Sequence, residues 1–321
     1  MADTPEYHFE ETPQPAAPIQ SWAERNGFAD WALALIWIIV AFILFQFAAV
    51  FVTVILFFAT EGVQPDTTPN EVMNALLDHL DLLFIGNSFG QIVFLGLATW
   101  LFSRLHTTRD RHSQFLRFKT HSDTPKQLGL TAVLIIAAQP VIWFLSWVNV
   151  QLPVPEFFEY LQTSQLEMIE NYLKSDHVMI ITLFHIGLVP AVCEEILYRG
   201  YVMRAFERSW GIWVAIVASG FLFGLYHLQL TNLLPLASIG ILLAFVTYVS
   251  DSIYPAILAH LINNGGSVIV ASYYPDSSVA EITPESMPPL WALAVGTILT
   301  GYLIFYMYQQ MNQQRGATSD V

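Results

Sequence analysis

Charged residues are scarce in this sequence. Only 12% of its 321 residues are Asp, Glu, Lys or Arg, whereas 55% are hydrophobic. A soluble domain carries about 25% charged residues, so this composition excludes a soluble protein and indicates a chain that crosses a membrane several times. The one cysteine, Cys193, excludes an intrachain disulfide and a metal site made of several cysteines. A net charge of −14 argues against nucleic acid as a partner.

A positively charged stretch before the first apolar run is also missing, so we do not expect a cleaved signal peptide. Residues 1–30 are acidic, contain proline and show no periodicity, which predicts a disordered cytoplasmic tail. Residues 312–321 are expected to form a short C-terminal tail. The part between them, residues 31–311, is predicted to be one membrane domain without an internal repeat.

Eight apolar segments are candidates for membrane-spanning helices, for which about 20 apolar residues are needed. They comprise residues 31–58, 82–102, 128–150, 178–205, 212–228, 233–249, 253–273 and 290–311. The sequence therefore predicts an all-α, polytopic membrane protein with about eight transmembrane helices. Two amphipathic stretches lie between the segments. One begins near Thr68, and the other, residues 151–177, is acidic and is predicted to lie on the membrane surface.

Basic residues are distributed unevenly over this arrangement. With both termini in the cytoplasm, the cytoplasmic regions hold ten Lys and Arg residues and the outside loops hold Lys174 alone. This asymmetry is the positive-inside pattern, and it supports the count of eight. We therefore expect an integral protein of a bacterial-type plasma membrane with both termini cytoplasmic. The basic stretch 104–126 is expected to meet anionic headgroups.

Two adjacent carboxylates and an arginine interrupt the apolar run of residues 178–202. An ionisable group there costs several kcal/mol unless it faces the bundle interior or a water pocket. On a helix, Glu195 and Arg199 lie four residues apart on one face and can pair, whereas Glu194 is turned by about 100°. Glu194 is left unpaired, and an unpaired intramembrane carboxylate indicates a functional site.

Three more polar residues interrupt other apolar segments. His227 follows Phe223 by four residues, and His260 and Asn264 are also four apart. A buried histidine is more often a satisfied core group than a ligand, yet three such groups and an unpaired glutamate favour one shared site. A carboxylate can take a proton from water, imidazoles can position water or bind a metal, and an amide can stabilise an oxyanion. These groups suit a hydrolase without a covalent nucleophile.

Other chemistries find less support. The zinc-protease pattern His-Glu-x-x-His does not occur. A serine mechanism would need Ser219 with a histidine, but Ser219 precedes Gly220 and Gly224, and Gly-x-x-x-Gly usually serves helix packing. The rival from another class is a non-catalytic membrane transporter or receptor whose buried carboxylates bind an ion or a proton. The absence of paired broken helices in two matching halves counts against it.

The remaining intramembrane polar residues are interpreted structurally. His185 lies nine residues before Glu194, about 180° around an α-helix, and is expected to face a neighbouring helix or lipid. Interhelical hydrogen bonds are expected for Asn87, Gln91 and Gln139. Cys193 is expected to be a core residue, and the pair Gly265-Gly266 to permit close packing.

Together, Glu194-Glu195-x-x-x-Arg199, Phe223-x-x-x-His227 and His260-x-x-x-Asn264 resemble the three signature motifs of the CPBP intramembrane proteases. This family includes the type II CAAX prenyl endopeptidases (Ras-converting enzymes) and bacterial CAAX-like and bacteriocin-processing or immunity (Abi) proteins. The motifs occupy residues 178–273, and the other segments fit the family's eight-helix core by count alone.

The resemblance implies an intramembrane endopeptidase with assigned roles at these positions. Glu194 would be the general base that activates water, and His227 would hold that water. His260 and Asn264 would stabilise the oxyanion. The supporting residues would be Glu195, Arg199 and Phe223.

The resemblance leaves the cofactor open, because the family has been described both as metalloproteases and as metal-free glutamate proteases. His227, His260 and a glutamate could form an open zinc site. If Asn264 and one imidazole serve the oxyanion, too few ligands remain for tight zinc binding, so we expect metal-free or weakly metal-dependent hydrolysis. The expected partners are the lipid bilayer and a peptide or lipidated protein substrate within it. Whether that substrate is prenylated stays open.

Overall fold

The computed structural model describes residues 21–60, 79–107, 111–174, 179–273 and 287–319, and its regular elements there are all helices. They are α1 (Trp22–Arg25), α2 (Asp30–Thr60), α3 (Leu80–His106), α4 (His112–Phe115), α5 (Thr124–Asn149), α6 (Glu156–Lys174), α7 (Met179–Trp210), α8 (Ile212–Tyr226), α9 (Leu233–Ser250), α10 (Tyr254–Tyr273) and α11 (Leu290–Ser319). Each predicted apolar segment coincides with one of these helices.

The prediction of an all-α, polytopic membrane protein is confirmed. Among the described residues, six helices are long and apolar enough to cross a membrane: α2, α3, α5, α7, α9 with the turn before it, and α11. The apolar helix α8 is shorter, with 15 residues. Helix α10 has 20 residues but carries the polar side chains of the third motif. The count of eight spans therefore stays a prediction.

Close antiparallel packing of α8 against α9 holds one wall of the bundle. A Cβ atom on Gly220 would lie 2.5 Å from the backbone nitrogen of Ile241, and one on Gly224 would lie 2.8 Å from that of Ala237. Only glycine permits this approach, so the packing interpretation of Gly-x-x-x-Gly is confirmed. The Ser219 hydroxyl is buried and donates to the Ile216 carbonyl, which gives a serine mechanism no support.

The eight long helices other than α6 run in alternating directions, so both ends of the described chain reach the same end of the bundle. We call it the basic end. It contains the start of α2, the loop 111–123 and the turn 251–253. Contacts between these segments include the 3.1 Å hydrogen bond from the Ile253 N–H to the Arg117 carbonyl. Nine of the ten Lys and Arg residues of the predicted cytoplasmic regions lie in the described parts of this end: Arg25, Arg104, Arg111, Arg117, Lys119, Lys126, Arg204, Arg208 and Arg315.

Some of these cations are used inside the protein. The Arg117 guanidinium is buried, and it donates to Glu207 at 2.9 Å and to Asp251 at 3.2 Å. Lys119 also pairs with Asp251. The expectation that the whole stretch 104–126 meets headgroups is wrong for Arg117, because a buried guanidinium must find its partners within the protein.

These ion pairs make the basic end sensitive to acid. Burial opposes ionisation of Asp251, but the Lys119 hydrogen bond and the Arg117 charge outweigh it and hold the pKa of Asp251 below its ordinary value. Since its pKa is lower in the folded state, ionised Asp251 stabilises the fold at neutral pH, and this contribution is lost as the pH falls below the ordinary aspartate range.

We expect Asp251→Asn to cost about 1 kcal/mol at pH 7, the size of a partly exposed ion pair, and to cost less as the pH falls towards 3. Asp251 has a left-handed backbone, with φ of 46°, which Asn tolerates, so the substitution removes the charge and one acceptor oxygen without straining the backbone. Thermal unfolding of the detergent-solubilised protein at several pH values measures the effect. An unfolding difference that does not change with pH would contradict it.

The predicted tails differ from the structure where it describes them. Ser21 caps α1 and exchanges hydrogen bonds with Glu24 in a capping box, so residues 21–29 are not disordered. The tail prediction for residues 1–20 lies outside the described residues. At the other terminus, α11 continues to Ser319, beyond the predicted helix end. The helix predicted to start at Thr68 also lies outside the described residues. The amphipathic helix predicted within residues 151–177 is present as α6.

Candidate active site

A cavity of about 400 Å³ lies between α2, α3, α6, α7, α8 and α10. Its lining comes from the second half of α2, the first halves of α3 and α7, and the C-terminal end of α8, so it occupies the half of the bundle away from the basic end. Glu194, His227 and Asn264 all line it. We call it the site cavity. The structure thus brings one residue from each of the three motifs to one space.

Behind this cavity is a buried ion pair. The Arg199 Nη1 donates to the Glu195 Oε1 at 2.9 Å, and neither side chain is exposed. The same carboxylate oxygen is 2.9 Å from the His260 Nδ1. The pairing predicted from the spacing of Glu195 and Arg199 is confirmed, and the pair also anchors the histidine of the third motif.

Arg199 is held by more than its carboxylate partner. Its Nη2 donates to the Gly240 carbonyl at 2.8 Å, and its guanidinium lies 4.6 Å from the centre of the Phe223 ring. The edges of His227 and His260 also meet that ring, with centroid separations of 4.9 and 5.6 Å. Phe223 therefore contacts both histidines and the arginine, which gives a physical reason for an aromatic residue four positions before His227.

Glu194 is buried, and one of its two oxygens has no hydrogen bond to the described residues. The residue is 7% exposed, and the oxygen without a partner is Oε2. The His260 Nε2 lies 4.0 Å from this oxygen. As predicted from the 100° turn between the two glutamates, Arg199 is hydrogen-bonded to Glu195 and not to Glu194. Glu194 therefore brings to the cavity wall a buried carboxylate with one oxygen that is not hydrogen-bonded by the described residues.

The tautomer of His227 is set by its own helix. Its Nδ1 lies 2.8 Å from the Phe223 carbonyl oxygen. Because a carbonyl can only accept, the proton is on Nδ1, and the neutral ring keeps an electron pair on Nε2. Helix α8 ends here, since Leu228 has a left-handed backbone with φ of 56°. The imidazole thus offers an acceptor at the cavity wall.

Asn264 is fixed by two contacts that leave a donor available. Its Nδ2 donates one hydrogen to the Ile186 carbonyl at 3.1 Å, and its Oδ1 accepts from Asn263 at 3.2 Å. An amide nitrogen carries two hydrogens, so the second can be donated to a carbonyl oxygen in the cavity. Gly265 packs against α7 near Gly187, as expected, whereas a Cβ on Gly266 would meet open space.

His185 contacts a neighbouring helix, as expected, but the prediction that it points away from Glu194 is wrong. This histidine lines the site cavity together with Glu194, and its Nδ1 lies 2.6 Å from the Ser88 hydroxyl. The reason is a π-helical turn over Leu183–Leu188, which places one extra residue in the turn. Nine residues then act as about eight, and the angle to Glu194 falls from about 180° to about 80°. Periodicity alone gives no signal for such a turn.

Two amides on α3 also face the cavity. Asn87 and Gln91 line it, and the Gln91 Nε2 donates to the Asn87 Oδ1 at 2.7 Å. This bond lies within one helix, so the interhelical prediction is wrong for this pair, whereas Gln139 does reach Asn263 on α10 at 3.2 Å. The Gln91 Oε1 is buried without a partner among the described residues. Gln91 thus brings an unpartnered acceptor to the wall of the cavity.

Replacing this unpartnered acceptor should weaken substrate use rather than the fold. We expect Gln91→Met to lower kcat/KM for a cleaved peptide about 2- to 10-fold, the worth of one neutral hydrogen bond, and mainly through KM. Steady-state kinetics measures it. Gln127→Met is the matched control, because the Gln127 Oε1 is also buried without a partner among the described residues but does not line the cavity. Equal kcat/KM in the two variants would show that Gln91 does not contact substrate.

The donor set does not fit a resident metal. Within the described parts of the chain, no three His, Cys, Asp or Glu side chains come close enough to hold one ion. The His260 Nδ1 faces Glu195, and the His227 Nδ1 faces a backbone carbonyl. We therefore derive no chemical step through zinc. Cys193 is buried, and its sulfur would lie 3.3 Å from a Cβ on Gly96, as expected for a packed core thiol.

Comparison with known proteins agrees with the motifs. Residues 176–266 match the family model for the Type II CAAX prenyl endopeptidase Rce1-like proteins. No curated protein and no solved structure gives a significant match. The match contains Glu194, Glu195, Arg199, Phe223, His227, His260 and Asn264. It confirms the resemblance and supports a CAAX-type intramembrane protease at the level of the family.

Proposed function

We propose that this protein is an intramembrane endopeptidase that hydrolyses a peptide bond with water activated by Glu194. The observation that carries the proposal is the convergence of a buried carboxylate with an oxygen that lacks a hydrogen bond, an acceptor imidazole and an amide donor on one cavity. The protein acts within the membrane, with a peptide or a lipidated protein as its substrate.

In the proposed reaction, Glu194 takes one proton from water, while the Nε2 of His227 accepts a hydrogen bond from the hydrogen that stays on the water oxygen and so orients that oxygen. The water oxygen bonds to the substrate carbonyl carbon, and the electron pair of the carbonyl moves onto its oxygen. Glu194 then passes its proton to the amide nitrogen as the carbon–nitrogen bond breaks. This transfer regenerates the Glu194 carboxylate, and collapse of the oxyanion leaves a carboxylic acid and an amine. The acid then loses its proton to the amine product or to water.

Two groups stabilise the negative oxygen in this scheme. The free hydrogen on the Asn264 Nδ2 donates to it directly. His260 donates from Nε2 only when the ring is doubly protonated, because its Nδ1 hydrogen is already directed at Glu195. The Glu195 carboxylate stabilises that charged ring, and Arg199 fixes the carboxylate. We assign Glu195, Arg199 and Phe223 positioning roles.

The proposal is tested with purified protein in liposomes, a farnesylated CAAX peptide and the same peptide without the lipid. Wild type and Glu194→Ala are compared with and without a zinc chelator. Glu194-dependent cleavage of the lipidated peptide alone identifies a prenyl-protein endopeptidase, and cleavage of both identifies a broader peptidase. Activity that survives the chelator supports metal-free hydrolysis. Full activity of Glu194→Ala would refute the mechanism.

A further inference from the structure

The site cavity and the basic end lie at opposite ends of the bundle. Glu194 is near the middle of α7, His227 ends α8, and Leu83 and Phe84 begin α3. Each of these positions is reached from the end where α6 lies, since Met168 and Ile169 of α6 complete the lining. The cavity is therefore approached from the end that does not hold the arginines and lysines.

The two ends of the bundle differ in the balance of acidic and basic residues. By sequence, the segments that connect helices at the cavity end, with the adjoining first turn of α3, hold thirteen acidic residues and one basic residue, Lys174. The acidic residues are Glu61, Asp66, Glu71, Asp78, Asp81, Glu156, Glu159, Glu167, Glu170, Asp176, Asp276, Glu281 and Glu285. The segments at the basic end hold ten basic and eleven acidic residues. Only the cavity end is strongly negative.

Four of these carboxylates are described on α3 and α6, two of the helices that line the cavity. Asp81 is in the first turn of α3, two residues before Leu83, and Glu167 directly precedes Met168. Glu156 and Glu159 are exposed in the first turn of α6. None of the four forms an ion pair with a described residue. Carboxylates that no described residue neutralises leave a negative field at this end of the bundle, which attracts cations and repels anions.

We propose that the site cavity opens to the extracytoplasmic face of the membrane and takes a cationic polypeptide segment that lies close to that face. Lys and Arg residues are retained on the cytoplasmic side of membrane proteins, so the basic end is cytoplasmic and the cavity end is not. A segment rich in Lys or Arg is drawn to the acidic end of the bundle, whereas an acidic segment is repelled. This substrate class rests on the proposed function, but access and charge preference do not require cleavage to be measured.

Access is tested by cysteine labelling in intact bacterial cells. With Cys193 replaced by Ala, the chain has no thiol, and single cysteines are placed at two exposed hydroxyl positions: Thr163→Cys on α6 and Ser113→Cys at the basic end. We expect a membrane-impermeant maleimide to label Thr163→Cys in intact cells and Ser113→Cys only after permeabilisation. Labelling of Ser113→Cys in intact cells, or of Thr163→Cys only after permeabilisation, overturns the assignment.

Charge preference is tested by binding, with Glu194→Ala protein in nanodiscs of zwitterionic lipid so that cleavage cannot intervene. The probes are fluorescent decalysine and decaglutamate peptides. We expect decalysine to bind and to be released by salt, and a Glu156→Gln, Glu159→Gln, Glu167→Gln variant to bind it about tenfold more weakly. Equal binding by the two proteins, or tighter binding of decaglutamate, overturns the preference. Neither result depends on peptide hydrolysis, so failure here is distinct from failure of the Glu194 mechanism.

Discussion

Glu194→Ala is expected to reduce peptide cleavage by about 10²- to 10⁴-fold, the contribution of a general base, while the protein stays folded. The Glu194 Oε2 has no partner among the described residues, so truncation removes no hydrogen bond made by that atom. It also removes a buried charge whose desolvation costs several kcal/mol. We therefore expect thermal unfolding to occur at the wild-type temperature or above it.

The matched control is its neighbour. Glu195→Ala removes a carboxylate of the same size one residue away, but strands Arg199 and the His260 Nδ1. It should lower the unfolding temperature as well as activity, whereas Glu194→Ala lowers activity alone. Glu194→Gln, which keeps the shape without the base, should be as inactive as Glu194→Ala. Substantial cleavage by Glu194→Gln would mean that another group activates the water.

Arg199→Ala is expected to destabilise the protein by about 3–5 kcal/mol, because it leaves Glu195 ionised and unpaired in the interior. The loss also removes the donor to the Gly240 carbonyl and the contact with the Phe223 ring. The unfolding temperature should fall by about 10 °C, and activity should fall because His260 loses a fixed partner. Thermal unfolding in detergent, followed by circular dichroism, measures the change.

Two variants separate the charge from the packing. Arg199→Met with Glu195→Gln removes both charges, and should recover most of the stability lost in Arg199→Ala. Arg204→Ala breaks the partly exposed pair with Glu207 and should cost at most about 1 kcal/mol. If Arg199→Ala lowers the unfolding temperature no more than Arg204→Ala does, the buried ion pair does not contribute the expected stability.

Local geometry explains which parts of the site could be predicted from the sequence. The pairing of Glu195 with Arg199 follows from a four-residue spacing on one helix, and the apolar segments follow from the length that a bilayer demands. The contacts of Phe223 could not be predicted, because they join residues of α7, α8 and α10 that are brought together only by the packing of these helices.

Other errors have equally specific causes. His185 was assigned to the face opposite Glu194 because the prediction assumed a regular α-helix. The π turn adds one residue between them, and nothing in the sequence indicates it. Gln91 was expected to bond a neighbouring helix, but its amide donates to Asn87, four residues earlier on its own helix. The sequence does not show which of these two partners such a side chain will choose. The sequence shows that the segments between helices are acidic, but it does not show at which end of the bundle these carboxylates lie relative to the site. Only the antiparallel order of the helices places those carboxylates opposite the arginines.

The π turns of α7 have a consequence for comparing this chain with its relatives. The helix contains two of them, Leu183–Leu188 and Ile196–Val202, and each is equivalent to one residue inserted into a regular helix. A relative that lacks the first turn keeps its cavity-facing histidine and glutamate in place only if it has one residue fewer between them. Alignments that forbid gaps inside transmembrane helices will therefore pair the wrong residues before Glu194, and a single-residue gap there is the physically correct choice.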